Sequence, residues 1–274
     1  ESDYGRMRQL LFAIQPLIGT QISATAGEVD WWRFTDADPD AAIRRARLWF
    51  DDDELVAFSW PDDDQIDVFH PAYAYLQDEM LVWSVSDRFA RGGAASTMKT
   101  LAYASDLVRQ EHLRNHGFTP DDESLFLRTR AISEDVPQPE LPAGYTIRHV
   151  AGPDEAEARV AVHRAAFTQS KMTAERYRRV MAAPSYRPEL DLVAVAPDGT
   201  FAAFAIVWWD EANRRGVYEP LGTAAEHQRR GLGRAIVAEG LRRLRDLGAE
   251  SAWITSLSSS PAANALYDGC GFPV

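Results

Sequence analysis

The chain has 274 residues, a formal net charge of −12 and an apolar share of 46%. This length and composition are typical of a globular protein with two domains of ordinary size. No apolar run approaches the roughly 20 residues that a membrane helix needs. No basic segment precedes an apolar stretch at the start, so we expect neither a membrane partner nor a secretory signal. The single cysteine, Cys270, excludes a disulfide within the chain and favours a cytoplasmic location.

Acidic residues are concentrated in the first half of the sequence. Residues 1–135 contain 25 of the 41 acidic residues but only 13 of the 29 basic ones. Such a balance argues against nucleic acid as a partner. It is compatible with a cationic substrate, such as an amine, that is attracted by the field of the protein. It is equally compatible with acidic loops that are simply solvated.

The first half predicts a helix, three strands separated by acidic turns, a helix, a strand and a helix. A Gly-Phe pair and a further strand follow. The predicted ranges are Arg6–Leu17, Arg45–Phe50, Leu55–Trp60, Ile66–His70, Tyr75–Trp83, Thr97–Ala104 and Asp106–His116, then Gly117-Phe118 and Ser124–Ile132.

Residues 133–144 contain three prolines within six residues and predict an extended linker. After it, the apolar spacing predicts the order β-α-α-β-β-β-α-β-α. The predicted ranges are Tyr145–Val150, Pro153–Phe167, Thr173–Ala183, Leu190–Ala196, Phe201–Trp209, Val217–Thr223, Arg234–Leu247, Ser251–Leu257 and Pro261–Cys270.

Both halves end in a helix followed by a Gly-Phe pair, Gly117-Phe118 in the first and Gly271-Phe272 in the second. We interpret this shared order as a weak internal duplication. In the first half a strand comes after the pair, whereas the sequence stops two residues after Gly271-Phe272. We therefore expect a C-terminal strand that the printed sequence lacks.

A glycine turn between a strand and a helix carries the strongest signal for chemistry. Gln228–Gly233 reads Gln-Arg-Arg-Gly-Leu-Gly and opens the helix that contains Arg234. The first backbone N–H groups of a helix lack internal partners, and the helix dipole adds positive potential there. Glycines let a ligand approach the backbone closely. The turn therefore predicts a phosphate site, with added charge from Arg229, Arg230 and Arg234.

Two common phosphate motifs do not fit this turn. A Walker loop needs Lys-Ser or Lys-Thr after its last glycine, and neither is present. The dinucleotide fingerprint needs a third glycine where the chain has Ile236, which disfavours a nucleotide-dependent oxidoreductase.

The remaining pattern, Gln-x-x-Gly-x-Gly, resembles the pyrophosphate loop of the GNAT acetyltransferase superfamily. The strand before it, the helix and strand after it, and the Asn264-x-x-Tyr267 helix that ends in Gly271-Phe272 follow the order of that family. The resemblance covers residues 145–274 well and residues 1–132 weakly. It implies an α/β (α+β) protein of two GNAT-like domains, each a mixed, mostly antiparallel twisted sheet flanked by helices.

The resemblance also implies acetyl-CoA as the cofactor, bound between two splayed strands, Val217–Thr223 and Ser251–Leu257. Main-chain groups of the first strand would line the pantetheine arm, the glycine turn would hold the pyrophosphate, and Asn264 would touch the cofactor from the last helix. The implied cofactor-binding residues are Leu221, Gly222, Thr223, Gln228, Arg229, Arg230, Gly231, Leu232, Gly233, Arg234 and Asn264. We assign no metal site.

Two residues are expected to carry the proton transfers. Tyr267 would lie near the sulfur, where a phenol can protonate a departing thiolate. Glu219 is the candidate base that takes a proton from the amine, directly or through water. The alternatives are a packed aromatic at Tyr267 and a solvent-facing carboxylate at Glu219. His163, on the apolar face of a helix, is interpreted as a packed histidine.

The leading hypothesis is thus an acetyl-CoA-dependent N-acetyltransferase that acts on a primary amine of a small molecule or peptide. In this interpretation residues 145–274 form the catalytic domain and residues 1–132 a degenerate copy that lacks the cofactor loop. A homodimer is left open. The alternative is a non-catalytic module of the same fold that binds acyl-CoA, because fold alone does not give function.

Overall fold

The structure is a computed structural model that describes residues 2–60, 64–92, 97–133 and 135–274. The helices are α1 (Asp3–Ile18), α2 (Ala26–Thr35), α3 (Pro39–Arg45), α4 (Gln77–Gly92), α5 (Leu107–Asn115), α6 (Ala156–Ala166), α7 (Ala174–Val180), α8 (Leu232–Asp246) and α9 (Pro261–Gly269). The strands are β1 (Arg47–Asp51), β2 (Glu54–Trp60), β3 (Asp64–Phe69), β4 (Lys99–Thr100), β5 (Leu125–Ala131), β6 (Thr146–His149), β7 (Asp191–Val195), β8 (Phe201–Asp210), β9 (Arg215–Thr223) and β10 (Ser251–Leu257).

The chain divides into two compact units. Glu1–Ala26 and Asp38–Asp122 form the first unit, while Gly27–Ala37 and Glu123–Val274 form the second. Each unit contains one mixed sheet with helices beside it, so the predicted α/β fold class is confirmed. None of the described helices combines the length and the apolar character that a membrane crossing requires.

The first unit has a four-stranded sheet in the order β1-β2-β3-β4. β1 to β3 are antiparallel, and α4 leads to β4, which runs parallel to β3. Trp49, Val56, Ala57 and Met80 pack together as a core between the sheet and α4.

The fourth strand is shorter than the sequence predicted. The strand predicted over Thr97–Ala104 is wrong beyond Thr100, since β4 ends there. The Gln110 side chain donates to the carbonyls of Tyr103 and Ala104 at 2.9 and 3.0 Å, so these groups are satisfied outside the sheet.

The helices α2 and α3 were not predicted, and residues 27–37, which contain most of α2, belong to the second unit. The backbone of α2 lies so close to Trp208 that a Cβ on Gly27 would stand 2.3 Å from the Trp208 Cβ. The buried Asp30 carboxylate accepts a hydrogen bond from the Ser185 backbone N–H at 2.7 Å. These contacts bind α2 to the second unit although it lies early in the sequence.

The second unit has a six-stranded sheet in the order β5-β10-β9-β8-β7-β6. All neighbours are antiparallel except β9 and β10, which are parallel and are joined by the crossover helix α8. From β6 to α9 the observed element order is the β-α-α-β-β-β-α-β-α order that the sequence predicts.

Strand β8 is buried along its whole length because helices cover both faces of the sheet. Its side chains alternate between two clusters. Phe204 packs with Val162 of α6 on one face, whereas Ala203 and Ala205 pack with Leu232 and Ile236 of α8 on the other. The sheet is therefore the middle layer of three.

Strand β5 corrects the prediction that residues 124–132 belong to the first half. It pairs antiparallel with β10 along its whole length, from Leu125 opposite Leu257 to Ala131 opposite Ser251. The position beside β10 in the second sheet is thus filled by β5. The compact units differ accordingly from the division at residues 132 and 145, and the described residues between β5 and β6 form no helix or strand.

Proline substitutions can test the pairing of β5. The Ile132 N–H donates to the Glu250 carbonyl, and the Ser258 N–H donates to the Ser124 carbonyl. Even-numbered residues of β5 therefore direct their N–H groups to β10, and odd-numbered ones direct them away. We expect Phe126→Pro to lower the free energy of unfolding by about 1–3 kcal/mol more than Leu127→Pro, because only the first loses a ladder bond. Urea denaturation followed by tryptophan fluorescence measures the difference, and equal losses would contradict the pairing.

Candidate active site

The parallel strands β9 and β10 separate in the middle of the second sheet. They are paired from Arg215 opposite Ser251 to Tyr218 opposite Ile254, and both then continue without pairing to each other. On its other side β9 stays paired with β8 as far as Thr223. The main-chain groups of residues 221–223 that face away from β8 therefore border an opening between the two strands.

The pairing of β9 with β8 is irregular where the strands separate. The register shifts between Ala205 and Val207, so Glu219 and Pro220 form a bulge on β9. Bulges redirect side chains at functional sites. The Trp208 Nε1–H donates to the Glu219 carbonyl at 2.7 Å and holds the bulged backbone in place.

The glycine turn leads from β9 to α8 at the mouth of this opening. Gly231 has a φ of 82° and ends the turn in the left-handed region, which glycine adopts at little cost. The first helical hydrogen bond runs from the Ala235 N–H to the Gly231 carbonyl. Within the described residues, the backbone N–H groups of Gly231, Leu232 and Gly233 donate to no protein acceptor. Three donors at a helix start fit a phosphate group.

Polar side chains hold the turn and place charge around it. The Gln228 amide donates to the Thr223 carbonyl at 3.3 Å and closes the turn on β9. Arg229, Arg230 and Arg234 are exposed, as an anion site at the surface requires. Arg230 contacts the hydroxyl of Tyr145 at 3.4 Å.

Close packing explains two of the predicted cofactor-binding glycines. A Cβ on Gly222 would stand 2.8 Å from the Phe204 ring and 2.9 Å from the Ala166 Cβ, so Gly222 lets β9 approach β8 and α6. A Cβ on Gly233 would stand 3.0 Å from Leu266, so Gly233 lets α8 approach α9. A Cβ on Gly231 would meet nothing within 4 Å, which leaves space for a ligand beside the turn.

Glu219 is half-buried in the bulge. Burial raises the pKa of this carboxyl to about 7, and the charge of Glu28 raises it further in the same direction. No side chain or backbone group in the described chain hydrogen-bonds to the carboxyl. A carboxyl with this pKa exchanges protons readily near neutral pH, as a general base must.

Tyr267 projects from α9 and is buried. Burial raises the pKa of its phenol to about 12, helped by the charges of Glu219 and Cys270 and opposed by that of Arg128. The hydroxyl has no hydrogen-bond partner among the described residues. The phenol is thus protonated at neutral pH and is able to donate to a ligand.

Asn264 lies one turn before Tyr267 on the same helix. Its Oδ1 accepts hydrogen bonds from Ser256 at 2.8 Å and from Arg128 at 3.1 Å, and its amide donates to the carbonyls of Leu257 and Ser258 at 3.1 and 3.3 Å. These bonds attach α9 to the end of β10. Asn264 therefore holds α9 against the end of β10, which borders the opening.

His163 has the environment of a packed histidine, as interpreted from the sequence. Burial, together with the charges of Arg159 and Arg164, lowers its pKa to about 4. Its Nδ1 lies 2.9 Å from the Ser170 hydroxyl, and its ring packs against Phe204 at 5.4 Å. The imidazole is therefore neutral and engaged at neutral pH.

Several residues around the site were not predicted. Glu28 comes from α2, Trp208 from β8, Tyr145 from the start of the second half and Arg128 from β5. The Trp31-Trp32 pair marks an apolar stretch that could have indicated α2. No local pattern links Arg128 to α9, because 136 residues separate it from Asn264.

Comparison with known proteins gives a family match to the second half of the chain. Residues 157–272 match the Acetyltransferase (GNAT) family. The matched segment runs from α6 to the residues after α9 and contains the bulge, the glycine turn, Asn264 and Tyr267.

Curated relatives include mycothiol acetyltransferases. The chain is 27% identical over 216 residues to the one from Pseudarthrobacter chlorophenolicus, with 74% of this chain and 64% of that protein covered. It is 34% identical over 186 residues to the one from Kineococcus radiotolerans, with 61% and 59% covered. The chain thus spans less than two thirds of the length of these relatives.

Solved structures match over nearly the whole chain. A GCN5-related N-acetyltransferase from Sphaerobacter thermophilus has a TM-score of 0.70 at 21% identity, with 99% of this chain and 89% of that chain covered. A tandem GNAT protein from the clavulanic acid biosynthesis pathway has a TM-score of 0.65 at 14% identity, with 98% and 90% covered. These likenesses concern the fold, and together with the family match they lead to one conclusion: residues 157–272 match the Acetyltransferase (GNAT) family, and the fold of the chain is similar to that of these two proteins.

Proposed function

We propose that the chain is an acetyl-CoA-dependent N-acetyltransferase that acetylates a primary amine of a small molecule or peptide. One observation carries the proposal. The opening between β9 and β10 has a helix-start turn with free N–H groups at its mouth and, beside it, two ionisable groups without a hydrogen-bond partner in the described chain, Glu219 and Tyr267. A module that only bound acyl-CoA would need the turn but not the two groups.

Acetyl-CoA supplies an acetyl group activated as a thioester. The N–H groups of residues 231–233 hold its pyrophosphate, with the charge of Arg229, Arg230 and Arg234 around them. Main-chain groups of Leu221, Gly222 and Thr223 border the opening. Their N–H groups would donate to the thioester carbonyl oxygen, and their carbonyls would accept from the pantetheine amides. Asn264 supports this wall through its bonds to Leu257 and Ser258.

Glu219 is the general base. An amine is protonated at neutral pH and must lose a proton before its lone pair can attack a carbonyl carbon. The Glu219 carboxylate takes this proton, directly or through water. Its raised pKa of about 7 makes it a stronger base than an exposed glutamate while leaving much of it ionised at neutral pH.

Tyr267 is the general acid. When the C–S bond breaks, its electron pair goes to sulfur, and the phenol donates its proton to the thiolate that forms. The pKa of about 12 keeps the phenol protonated until that moment. After the attack the nitrogen is positively charged and gives up a second proton, which restores the phenol. The first proton passes from Glu219 to solvent, so each turnover gives the amide, the coenzyme A thiol and one released proton.

The charge beside Glu219 favours a cationic acceptor. The Glu28 carboxylate on α2 acts on Glu219 through its charge, so a second negative charge lies near the proposed base. Cations are drawn to such a pair. The relatives named mycothiol acetyltransferase give the first acceptor to test, namely the substrate of those enzymes.

The described residues of the first unit contain no comparable turn after β3. After β3 the chain continues with His70 and Pro71 into a short 3-10 turn, and the His70 side chain accepts from the Ala72 N–H at 3.2 Å. No glycine opens this turn and a side chain occupies one of its donors. We infer that residues 145–274 carry the activity and that the first unit is a degenerate copy.

A thiol-release assay tests the proposed function. The full chain is incubated with acetyl-CoA and a panel of amines, and free thiol and acetylated product are measured. We expect turnover with at least one cationic amine, and Tyr267→Phe should lower kcat by on the order of 10²–10⁴-fold, because it removes the acid. Binding of coenzyme A without turnover on any amine would favour the non-catalytic alternative, and binding of NAD alone would overturn the proposal.

Two glycine substitutions test the phosphate-binding turn. Gly231 and Gly199 have φ values of 82° and 87°, and a Cβ on either would meet nothing within 4 Å. Gly231→Ala and Gly199→Ala should therefore cost similar stability, about 1–2 kcal/mol of left-handed strain each. Only Gly231→Ala should weaken coenzyme A binding in isothermal titration, since Gly199 lies in the turn between β7 and β8. Equal affinities of the two variants would contradict the assignment.

The pH dependence of kcat/KM tests Glu219. The carboxylate form is active and its pKa is about 7, so kcat/KM should fall as the pH drops below about 7. Glu219→Gln should remove this acidic limb. Glu28→Gln removes a charge that raises the pKa of Glu219, so the limb should move to lower pH. The same acceptor is used throughout, so any limb from its own ionisation is common to all variants, and a limb near pH 7 that stays in Glu219→Gln would rule out the base.

A further inference from the structure

Arg128 connects β5 to the helix that carries Tyr267. Only 1% of its surface is exposed. Its Nε donates to the Ser256 hydroxyl of β10 at 3.1 Å, and its Nη2 donates to Asn264 Oδ1 at 3.1 Å. Its Nη1 donates to Asp268 Oδ1 at 2.5 Å and to the Phe272 carbonyl at 2.9 Å. One guanidinium thus contacts β10 and three points in and after α9.

The contacts of Arg128 in and after α9 lie on both sides of Tyr267 along the chain. Asn264 lies one turn before Tyr267, Asp268 follows it directly, and Phe272 comes just after the end of α9. Contacts on both sides of one residue fix the rotation of a short helix about its axis. They also fix its distance from β10, because Ser256 is bound by the same guanidinium.

The requirements of a buried cation explain why this arrangement is rigid. A guanidinium removed from water needs partners for its five N–H donors and a counter-charge. Arg128 finds four acceptors, and one of them is the Asp268 carboxylate. Displacing α9 would break several of these bonds at once. The charge of Arg128 also lowers the pKa of Tyr267, against the effect of burial.

We propose that Arg128 is a positioning residue for acetyl transfer, which holds α9 against β10 so that the Tyr267 phenol meets the leaving sulfur. The proposal rests on the proposed function, since it needs Tyr267 to be the acid. The network leaves the phenol itself unbound, so Arg128 fixes the helix and keeps the hydroxyl available to the ligand. A small displacement of an acid from its reaction partner is costly, because proton transfer requires hydrogen-bond contact.

Kinetics of Arg128→Met give the first test. This change keeps an apolar stem but removes all four hydrogen bonds. We expect kcat to fall on the order of 10–10²-fold, as for a misplaced catalytic group, with little change in coenzyme A affinity, because the glycine turn lies on α8. Arg128→Lys should retain part of the activity, since a single ammonium cannot reach every partner. The matched control is Arg130→Met, on the same strand, which loses a contact to the Cys270 carbonyl and should keep a kcat close to that of the unmodified chain.

A double-substitution cycle separates positioning from general support of the fold. If Arg128 acts through Tyr267, Arg128→Met should lower kcat no further in a Tyr267→Phe background. A further fall equal to that seen with Tyr267 present would overturn the proposal. Circular dichroism checks that each variant is folded. If Arg128→Met does not fold, Arg128→Lys replaces it in the cycle.

Hydrogen exchange provides a readout that does not need turnover. Backbone amides of residues 264–272 should exchange faster in Arg128→Met than in Arg130→Met or the unmodified chain, and the ring carbon resonance of Tyr267 should shift. Unchanged exchange and an unchanged resonance would overturn the role of Arg128 even where the enzyme is active. If no amine is acetylated but exchange responds as expected, the proposed function fails and the positioning of α9 stands.

Discussion

The separation of β9 and β10 is the constraint on which the second unit depends. Two parallel strands that stop pairing inside a sheet expose main-chain donors and acceptors that elsewhere satisfy each other. Water or a ligand must then provide the missing partners. The bulge at Glu219, the turn before α8 and the attachment of α9 to β10 all lie around this opening. The layered sheet is the scaffold that holds these three elements apart, with β8 buried along its length.

Burial raises the pKa of both Glu219 and Tyr267, with opposite consequences for the proton transfers that we propose for them. The same loss of solvation raises the pKa of the carboxyl to about 7 and that of the phenol to about 12. A carboxyl becomes a better base in this way, while a phenol becomes a weaker acid. The charge of Glu219 raises the pKa of Tyr267, whereas the charge of Arg128 lowers it. Arg128 therefore offsets part of the loss of acidity that burial and Glu219 cause.

The sequence predicted those parts of the fold whose signals are local. The periodicity of the second half gave its nine elements in order, and the exposed glycine turn was recognisable because its chemistry depends on adjacent residues. The roles of Glu28 and Arg128 could not be predicted in this way, since each reaches the site through contacts with residues far along the chain. Asn264 was placed beside the opening, but its four bonds to Arg128, Ser256 and the end of β10 follow only from tertiary structure. β5 was predicted as a strand and assigned to the wrong sheet, because an alternating pattern does not specify its partner.

Helix α2 and strand β5 both come before the predicted boundary near residue 140, yet most of α2 and all of β5 belong to the second unit. Residues 27–37 contain Glu28, whose charge acts on Glu219, and residues 123–132 cover the edge of β10 and carry Arg128. An uncovered β10 would present a row of unpaired main-chain groups, which promotes association between chains. The second half therefore contains the glycine turn, the proposed base and the proposed acid, while two earlier segments complete its sheet and its electrostatics. Both segments belong to the compact unit that contains the turn, so substitutions at Glu28 or Arg128 change the surroundings of Glu219 and Tyr267.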